Sequence, residues 1–140
     1  MTNFVNYKAG LRNVGSYQVS GAPWISGNVD CDPDDEDKYS FPFVAKAVTV
    51  INDSGAQGDA DGHLRIYFNA SSTGDVINGR HYITLSGTSV TSVTLNTKCK
   101  EIYVSNAGES VCNYTVLAEL TSIGTDSMYA LTGSGLTDQD

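Results

Sequence analysis

The chain has 140 residues, with sixteen acidic against eight basic residues and a formal charge of −8 at pH 7. This length suits one domain with its own hydrophobic core. The acidic balance argues against a basic face for nucleic acid or for an anionic membrane. No apolar run approaches the roughly 20 residues that span a bilayer, and the first residues lack the apolar centre of a signal peptide. We therefore expect a cytosolic protein with no nucleic-acid partner and no membrane partner.

The composition favours strands and turns over helices. Fourteen glycines and eight tyrosines accompany many Thr, Ser, Val and Asn residues, which suit pleated strands and tight turns. The three cysteines, Cys31, Cys99 and Cys112, are odd in number and lack pair spacing, which makes a poor disulfide framework. We expect them to be buried or semi-buried thiols in a reducing compartment.

The N-terminal residues 1–30 are apolar but interrupted. Four glycines and Pro23 separate their aromatic and aliphatic side chains. The segment is therefore too apolar for a solvated tail and too broken for a core of its own. We expect an extended arm that lies on a surface, with one strand near residues 17–19. That surface belongs either to the chain's own sandwich or to a neighbouring subunit.

Six acidic residues fall within residues 30–37. Like-charge repulsion should hold this stretch in an exposed loop. Clustered carboxylates also suit a calcium ion, but the EF-hand spacing fails. Counted from Asp30, the sixth position is Asp35 rather than Gly and the twelfth is Phe41 rather than Glu. A solvated acidic loop and an irregular cation site are the two alternatives.

Residues 41–52 carry the first clear strand pattern. Apart from Lys46, both alternating faces of residues 45–51 are largely apolar, which predicts a central strand buried on two sides. Residues 63–69 alternate between apolar and polar side chains and predict a half-buried strand. We expect these two strands to pair as a hairpin with a long loop.

Further strands are predicted over residues 80–85, 90–97 and 111–121. If the segment over residues 93–104 runs straight, its apolar side chains change face, because Val93, Leu95 and Cys99 are odd-numbered, whereas Ile102 and Val104 are even-numbered. A bulge or bend at Lys100 and Glu101 would return all of these side chains to the core. We expect a bulge or bend at these two residues.

Seven short candidate strands without a convincing helix predict the fold class. It is all-β, an antiparallel β-sandwich or jelly roll of about seven strands with extended N- and C-terminal arms. The corresponding division is an N-terminal arm over residues 1–30, a sandwich body over residues 31–121 and a C-terminal tail over residues 122–140.

No catalytic constellation emerges from the motifs. Residues 108–112 depart from the G-x-S-x-G turn of hydrolases in the last position, and the cysteines and histidines lack zinc-ligand spacing. The lone G-x-G at residues 133–135 opens no helix, as a phosphate loop would. We expect a protein that is not an enzyme, with no catalytic residue, no cofactor and no metal ligand. Sugar stacking by exposed aromatic residues is an alternative, with Trp24, Tyr67, Tyr82 and Tyr103 as candidates.

Four stretches carry a resemblance to a known family. They are GLRNVGSYQVSGAPW (residues 10–24), FPFVAKAVTV (41–50), KCKEIYV (98–104) and YALTGSGLTD (129–138). Through them the chain resembles small virion structural proteins of tailed bacteriophages, particularly those of marine and cyanobacterial hosts. None of the four is a signature with a chemical mechanism, and the family offers no catalytic residues to transfer.

The resemblance implies a non-enzymatic particle component. We expect a capsid decoration or cement protein that is located in the virion, is assembled in the host cytoplasm and stabilises the head. Its expected partners are the major capsid protein or another virion protein and further copies of itself, with a trimer favoured. The alternatives are a neck, collar or tail component of the virion and a carbohydrate-binding host-surface adhesin.

The two arms carry the expected partner contacts. Extended apolar arms can lie on a neighbouring subunit or add a strand to an exposed sheet edge. The partner-binding residues expected in them are Leu11, Val14, Tyr17, Val19, Trp24, Ile25, Tyr129 and Leu131.

Overall fold

A computed structural model describes residues 10–12, 21–53, 63–74, 76–86, 90–109, 111–133 and 135–137. Within these ranges the chain is all-β, as predicted. The strands are β1 (Pro23–Cys31), β2 (Glu36–Asn52), β3 (His63–Tyr67), β4 (Ile83–Ser86), β5 (Ser92–Leu95), β6 (Cys99–Asn106) and β7 (Cys112–Gly124). Two single helical turns accompany them, α1 (Ser71–Gly74) and a 3₁₀ turn at Thr125–Ser127.

The strands form one hydrogen-bonded antiparallel sheet. Their order is β1-β7-β2-β6-β3-β4, and β5 pairs with β2 outside this path. The ring of Trp24 on β1 contacts Tyr39 and Phe41 on β2 at centroid distances of 5.7 and 5.2 Å, although β7 lies between these two strands in the sheet. The sheet therefore curls so that non-adjacent strands meet across the interior, which is compatible with the predicted sandwich or jelly roll.

β2 is the central strand, as the sequence predicts. It pairs with β7 along one edge and with β6 and β5 along the other. Both of its faces contribute buried side chains, namely Val44, Ala45, Ala47, Val48 and Val50. The ladder with β7 shifts register between Ala45 and Ala47, which lets side chains of both parities reach the interior. Two-sided burial ends at Val48, short of the predicted residue 51, because Thr49 is half-buried and Ile51 is 37% exposed on the other face of the strand.

The predicted hairpin between β2 and β3 is wrong. β3 pairs with β6 and β4, and β6 lies between β2 and β3 in the sheet. A central strand buried on both faces needs a partner on each edge. β6 and β7 supply these partners from the distant C-terminal half of the chain.

The register irregularity predicted near the start of β6 is present. Glu101 pairs with Ser40, whereas Cys99 pairs with Ala45, so a step of two residues along β6 corresponds to five along β2. The extra residues lie on β2 rather than on β6. Both Cys99 and Ile102 are fully buried, so the parity break reflects a bend that two strands share.

The boundaries expected between arms and body fall inside strands. β1 pairs with β7 almost along its whole length, so the end of the expected arm over residues 1–30 belongs to the sheet. Pro23 is tolerated because it is the first residue of an edge strand. β7 continues to Gly124, past the expected boundary at residue 121. The strand expected near residues 17–19 lies outside the described residues.

The interior divides into three buried clusters. The largest joins side chains of β1, β2, β3, β4, β6 and β7. A second consists of Val44, Ile123 and Met128 at one end of the sheet. A third, with Tyr67 and Tyr103, lies around β3 and β6. The second cluster positions the terminal segments.

Candidate functional site

The described terminal segments meet at one end of the sheet. Leu11 and Leu131 both pack against the buried cluster that contains Met128. This cluster forms because β7 ends at Gly124 and the following 3₁₀ turn redirects the chain. The turn is closed by the Met128 N–H, which donates to the Thr125 carbonyl oxygen at 3.1 Å.

A groove opens between these segments and the connection from β5 to β6, and we call it the terminal groove. Its cavity measures about 470 Å³, and its lining residues are Leu11, Arg12, Asn96, Thr97, Lys98, Met128, Tyr129 and Leu131. Lys98 Nζ donates a hydrogen bond to the Leu11 carbonyl oxygen at 3.2 Å. Lys100 Nζ donates to the Met128 carbonyl oxygen at 3.0 Å. Two lysines therefore hold the N- and C-terminal segments against the same end of the sheet.

The terminal groove is cationic in an acidic chain. Arg12 and Lys98 line it, and none of its described lining residues carries a carboxylate. Tyr129 is 71% exposed beside these cations. Basic side chains and an exposed aromatic ring therefore line the groove.

A second candidate surface is the outer face of the sheet across β1, β7, β2 and β5. One row across these strands contains Ile25, Leu117, Thr49 and Thr94, and the next contains Thr115, Ile51 and Ser92. We call these seven residues the outer sheet face. None of them carries a charge, and Ile25 is 65% exposed.

Strand alternation explains why this face looks outward. On β2 and β7 the neighbours of these residues along the strand, such as Val50 and Ala118, are buried in the core, so the intervening side chains lie on the opposite side of the sheet. The Oγ1 atoms of Thr49 and Thr94 are 3.0 Å apart and form a cross-strand hydroxyl pair. The charged residue Asp53 lies at the border of the outer sheet face, where its Oδ2 accepts a hydrogen bond from Thr115 Oγ1 at 3.1 Å.

The structure separates the predicted partner-binding residues. It brings Leu11, Tyr129 and Leu131 together in the terminal groove and places Ile25 on the outer sheet face. Trp24 is half-buried, and its ring packs edge-on against two aromatic residues of β2. Its contacts therefore lie within the chain. Val14, Tyr17 and Val19 lie outside the described residues.

Sequence reasoning missed the outer sheet face and the cations of the terminal groove. Leu117, Thr49 and Thr94 come from three strands whose order cannot be read from local patterns. Threonines at outward positions of strands were the available signal, because Thr suits a half-exposed pleated surface. Lys98 and Lys100 carry no local signal of a groove, since the backbone groups they bind are remote in sequence.

The middle of the acidic stretch forms a turn between β1 and β2. We call residues 32–35 the acidic turn. The Asp35 N–H donates to the Asp32 carbonyl oxygen at 3.1 Å, and the Asp34 N–H donates to the Asn106 carbonyl oxygen at 3.2 Å. Asp32, Asp34 and Asp35 are exposed, which confirms the predicted exposed loop for residues 32–35. The prediction is wrong for the rest of residues 30–37, because residues 30–31 belong to β1 and residues 36–37 belong to β2. Within the described residues, no group of three or more His, Cys, Asp or Glu side chains is placed to hold a metal ion.

One acidic residue near this turn takes part in an interior network instead. Asp37 accepts a hydrogen bond from the Tyr114 hydroxyl. Tyr114 has a single hydroxyl hydrogen, so Tyr39 is the donor in the bond between the two phenols. Burial, followed by the hydrogen bond that Tyr114 donates to Asp37, raises the pKa of Tyr114. The network connects β2 with β7 through a phenol that remains neutral.

All three cysteines are buried free thiols, as predicted. Burial is the largest cause that raises the pKa of Cys31 to about 12, with the charges of Asp37 and Asp35 adding to it. Burial alone raises the pKa of Cys99 to about 12. Such thiols stay protonated near neutral pH and are weak nucleophiles.

The aromatic residues considered for sugar stacking do not form an exposed platform. Tyr67 and Tyr103 stack on each other with ring centroids 6.0 Å apart and an interplanar angle of 4°. They are only 1% and 7% exposed. Arg65 covers the ring of Tyr82, with Cζ 4.6 Å from its centroid. Among the aromatic residues that the structure describes, Tyr129 in the terminal groove has the largest exposed fraction, 71%.

No family model and no curated protein sequence matches the chain. In the part of the chain that the structure describes, no helix has the length and apolar character needed to cross a membrane. The fold itself is that of an all-β antiparallel protein with two candidate binding surfaces.

Proposed function

We propose that the chain is a non-enzymatic virion structural protein of a tailed bacteriophage, a capsid decoration or cement protein that stabilises the head. The observation that carries this proposal is the outer sheet face, an uncharged surface of exposed and half-buried side chains across four strands in a chain of net charge −8. An exposed surface with apolar side chains and a charged border is typical of a protein-binding site. The resemblance to small virion proteins supports the same function.

The outer sheet face docks on the major capsid protein or on another virion protein. Strands lie about 4.8 Å apart, so the face is about 15 Å wide. Ile25, Ile51 and Leu117 supply apolar area, and the threonine hydroxyls supply directional hydrogen bonds. A stable interface needs about 800 Å² per partner, so the surface around this face contributes to the contact as well.

Self-assembly is the second part of the proposal. The terminal groove lies beyond the end of β7, whereas the outer sheet face lies along β7 and its neighbours. One subunit can therefore hold the capsid lattice and a neighbouring copy at the same time. A homo-oligomer, with a trimer favoured, bridges adjoining capsomers and resists their separation.

Cosedimentation with expanded capsids that lack the protein tests the docking surface. Ile25→Glu places a carboxylate on the outer sheet face, and the cost of desolvating it should weaken capsid binding at least about tenfold. Ile83→Glu is the matched control, because Ile83 is 38% exposed on β4 at the other edge of the sheet. It should bind like the wild type. A folded Ile25→Glu variant that binds as tightly as the wild type contradicts the proposal.

A particle reconstruction with the chain traced tests its location. A position on the capsid lattice with Ile25 in the contact supports a decoration protein. A position in the neck, collar or tail assigns the chain to another virion component. Binding to host polysaccharides that Tyr129→Ala abolishes favours an adhesin instead.

A further inference from the structure

Two of the three buried thiols face each other across one ladder of the sheet. Cys31 is the last residue of β1 and Cys112 is the first residue of β7, and the two are register partners in the antiparallel ladder. Both side chains belong to the same core cluster and are 1% and 0% exposed. They therefore lie on the same side of the sheet at directly opposite backbone positions.

We propose that Cys31 and Cys112 are a site of reversible disulfide formation, which locks the edge strand β1 onto β7 when the protein leaves a reducing compartment. Both are free thiols in this structure, which is the state that a cytosol maintains. The inference goes beyond docking and self-assembly, because it concerns a covalent modification. Only its setting rests on the proposed function, since a particle assembled in host cytoplasm is released into an oxidising medium.

The backbone geometry suits the bond. Directly opposite residues of an antiparallel ladder have Cα atoms about 4.5–5.5 Å apart, and a disulfide spans about 4.4–6.8 Å between Cα atoms. The two side chains also interact electrostatically, because Cys112 is among the causes that raise the pKa of Cys31. Cys31 Sγ donates only a weak hydrogen bond, to the Asp35 carbonyl oxygen at 3.7 Å, so oxidation sacrifices little.

Cys99 provides an internal comparison. It is also fully buried, but its register partner is Ala45 on β2. A thiol opposite an alanine has no sulfur to pair with across its ladder. The fold therefore selects one of the three possible cysteine pairings.

The bond would fix the short outer end of the ladder between β1 and β7. Between Ser26 and Val29 the register shifts, since three steps along β1 correspond to two along β7. The last three residues of β1 therefore form a separate short ladder in a strand at the edge of the sheet. A cross-link at the final pair prevents β1 from separating there and restricts the unfolded chain.

Oxidation by a low-molecular-weight disulfide balances as two thiol–disulfide exchanges. The thiolate of one cysteine attacks the small disulfide and releases one small thiolate. The second cysteine then attacks the protein sulfur of the mixed disulfide and releases the other. One S–S bond forms in the protein as one breaks in the oxidant, the two cysteine protons pass to the leaving thiolates, and two electrons pass to the oxidant.

Burial sets the rate of this reaction. It is the largest cause that raises the pKa of Cys31 to about 12, so the folded interior holds little thiolate at neutral pH. Attack therefore proceeds through local opening of the edge strand, which has to separate from β7 alone.

Incubation of the purified full chain with oxidised glutathione at about pH 8 tests the proposal. Alkylation in denaturant and peptide mapping of the wild type should show one bond between Cys31 and Cys112, with Cys99 alkylated. The melting temperature should rise by at least about 5 °C and fall again on reduction with dithiothreitol. A chain that keeps all three thiols, links through Cys99, stops at a mixed disulfide with glutathione or shows no rise overturns the inference.

Cys99→Ala is the matched control, because it keeps the facing pair and should show the same bond and the same rise. Cys112→Ala removes one partner and should show no rise. The wild type and Cys99→Ala decide the question even where Cys112→Ala is unstable. The result does not depend on capsid binding, which Ile25→Glu tests separately.

Oxidation in denaturing urea separates native pairing from chance pairing. Cys99 is much closer in sequence to Cys112 than Cys31 is, so the unfolded chain should close the shorter loop about tenfold more often. The folded chain should instead pair Cys31 with Cys112. The same distribution of pairings in both conditions would show that the fold does not select this pair.

Discussion

At the residue scale, buried titratable side chains make the free energy of unfolding depend on pH in the alkaline range. Cys31, Cys99, Tyr67 and Tyr114 are at most 1% exposed, and burial is the largest cause that raises the pKa of each. The interior desolvates a thiolate or phenolate, so folding favours the neutral form. The stabilisation is complete below the unfolded pKa of each group and is lost as the pH rises through the folded pKa.

Cys99 isolates this effect, because burial is the single cause that raises its pKa from 9.0 to about 12. Between these values the unfolded chain releases a proton that the folded chain keeps. The free energy of unfolding should therefore fall by about 1.4 kcal/mol per pH unit from this thiol. We expect the free energy of unfolding of Cys99→Ala, measured by urea unfolding, to fall less steeply with pH than that of the wild type between pH 9 and 11. The difference in slope should be that amount.

Val48→Ala is the control for this experiment, because it removes buried apolar atoms without removing a titrating group. It should lower stability at every pH and leave the slope unchanged. Equal slopes for Cys99→Ala and the wild type contradict the prediction.

At the scale of elements, the close approach of the Gly21 backbone to the Leu120 backbone determines where β1 begins. The Leu120 N–H donates to the Ala22 carbonyl oxygen at 2.9 Å. At Gly21, an added Cβ would lie 1.3 Å from the Leu120 carbonyl oxygen, so the chain enters β1 through a position that only glycine fits. At Gly27, within β1, the nearest atom to an added Cβ is Thr115 Oγ1 at 3.8 Å, which is ordinary contact.

Gly21→Ala should therefore destabilise the fold by about 1–3 kcal/mol, because the backbone before β1 must move away from β7. Gly27→Ala is the matched control and should change the free energy of unfolding by less than about 0.5 kcal/mol or increase it. Urea unfolding of both variants measures the difference. Equal effects at the two positions would show that the approach of Gly21 to Leu120 is not a constraint.

At the scale of the whole molecule, strands distant in sequence are neighbours in the sheet. β7 pairs with both β1 and β2, so large loops must close before the central ladders can form. Loop closure costs entropy before any long-range contact is gained. All-β folds of this kind reach the native state in milliseconds to seconds.

Trp24 can report this step, because it is the single tryptophan and its ring contacts Tyr39 and Phe41 across the interior. Stopped-flow dilution from urea should show its native fluorescence developing over milliseconds to seconds, together with the far-ultraviolet circular dichroism of the sheet. Native Trp24 fluorescence within microseconds contradicts the prediction.

The features that the sequence predicted correctly are those that depend on one segment. The two apolar faces of β2 identified it as a central strand, and the parity break after Cys99 located a register shift. The hairpin of β2 with β3 was wrong, because adjacency in sequence does not determine which strand edge finds a partner. Of the expected partner residues, Leu11 and Tyr129 meet in one groove and Ile25 lies apart, a division that depends on strand order.

The sequence by itself determined an all-β chain with a buried central strand, an exposed acidic turn and buried thiols. These follow from the alternation, charge and polarity of neighbouring residues, which act within a few residues. Only the tertiary structure decided the outer sheet face and the terminal groove. Their members come from separate strands and from opposite termini, and they become neighbours only when hydrogen-bonded ladders and a shared core place them together.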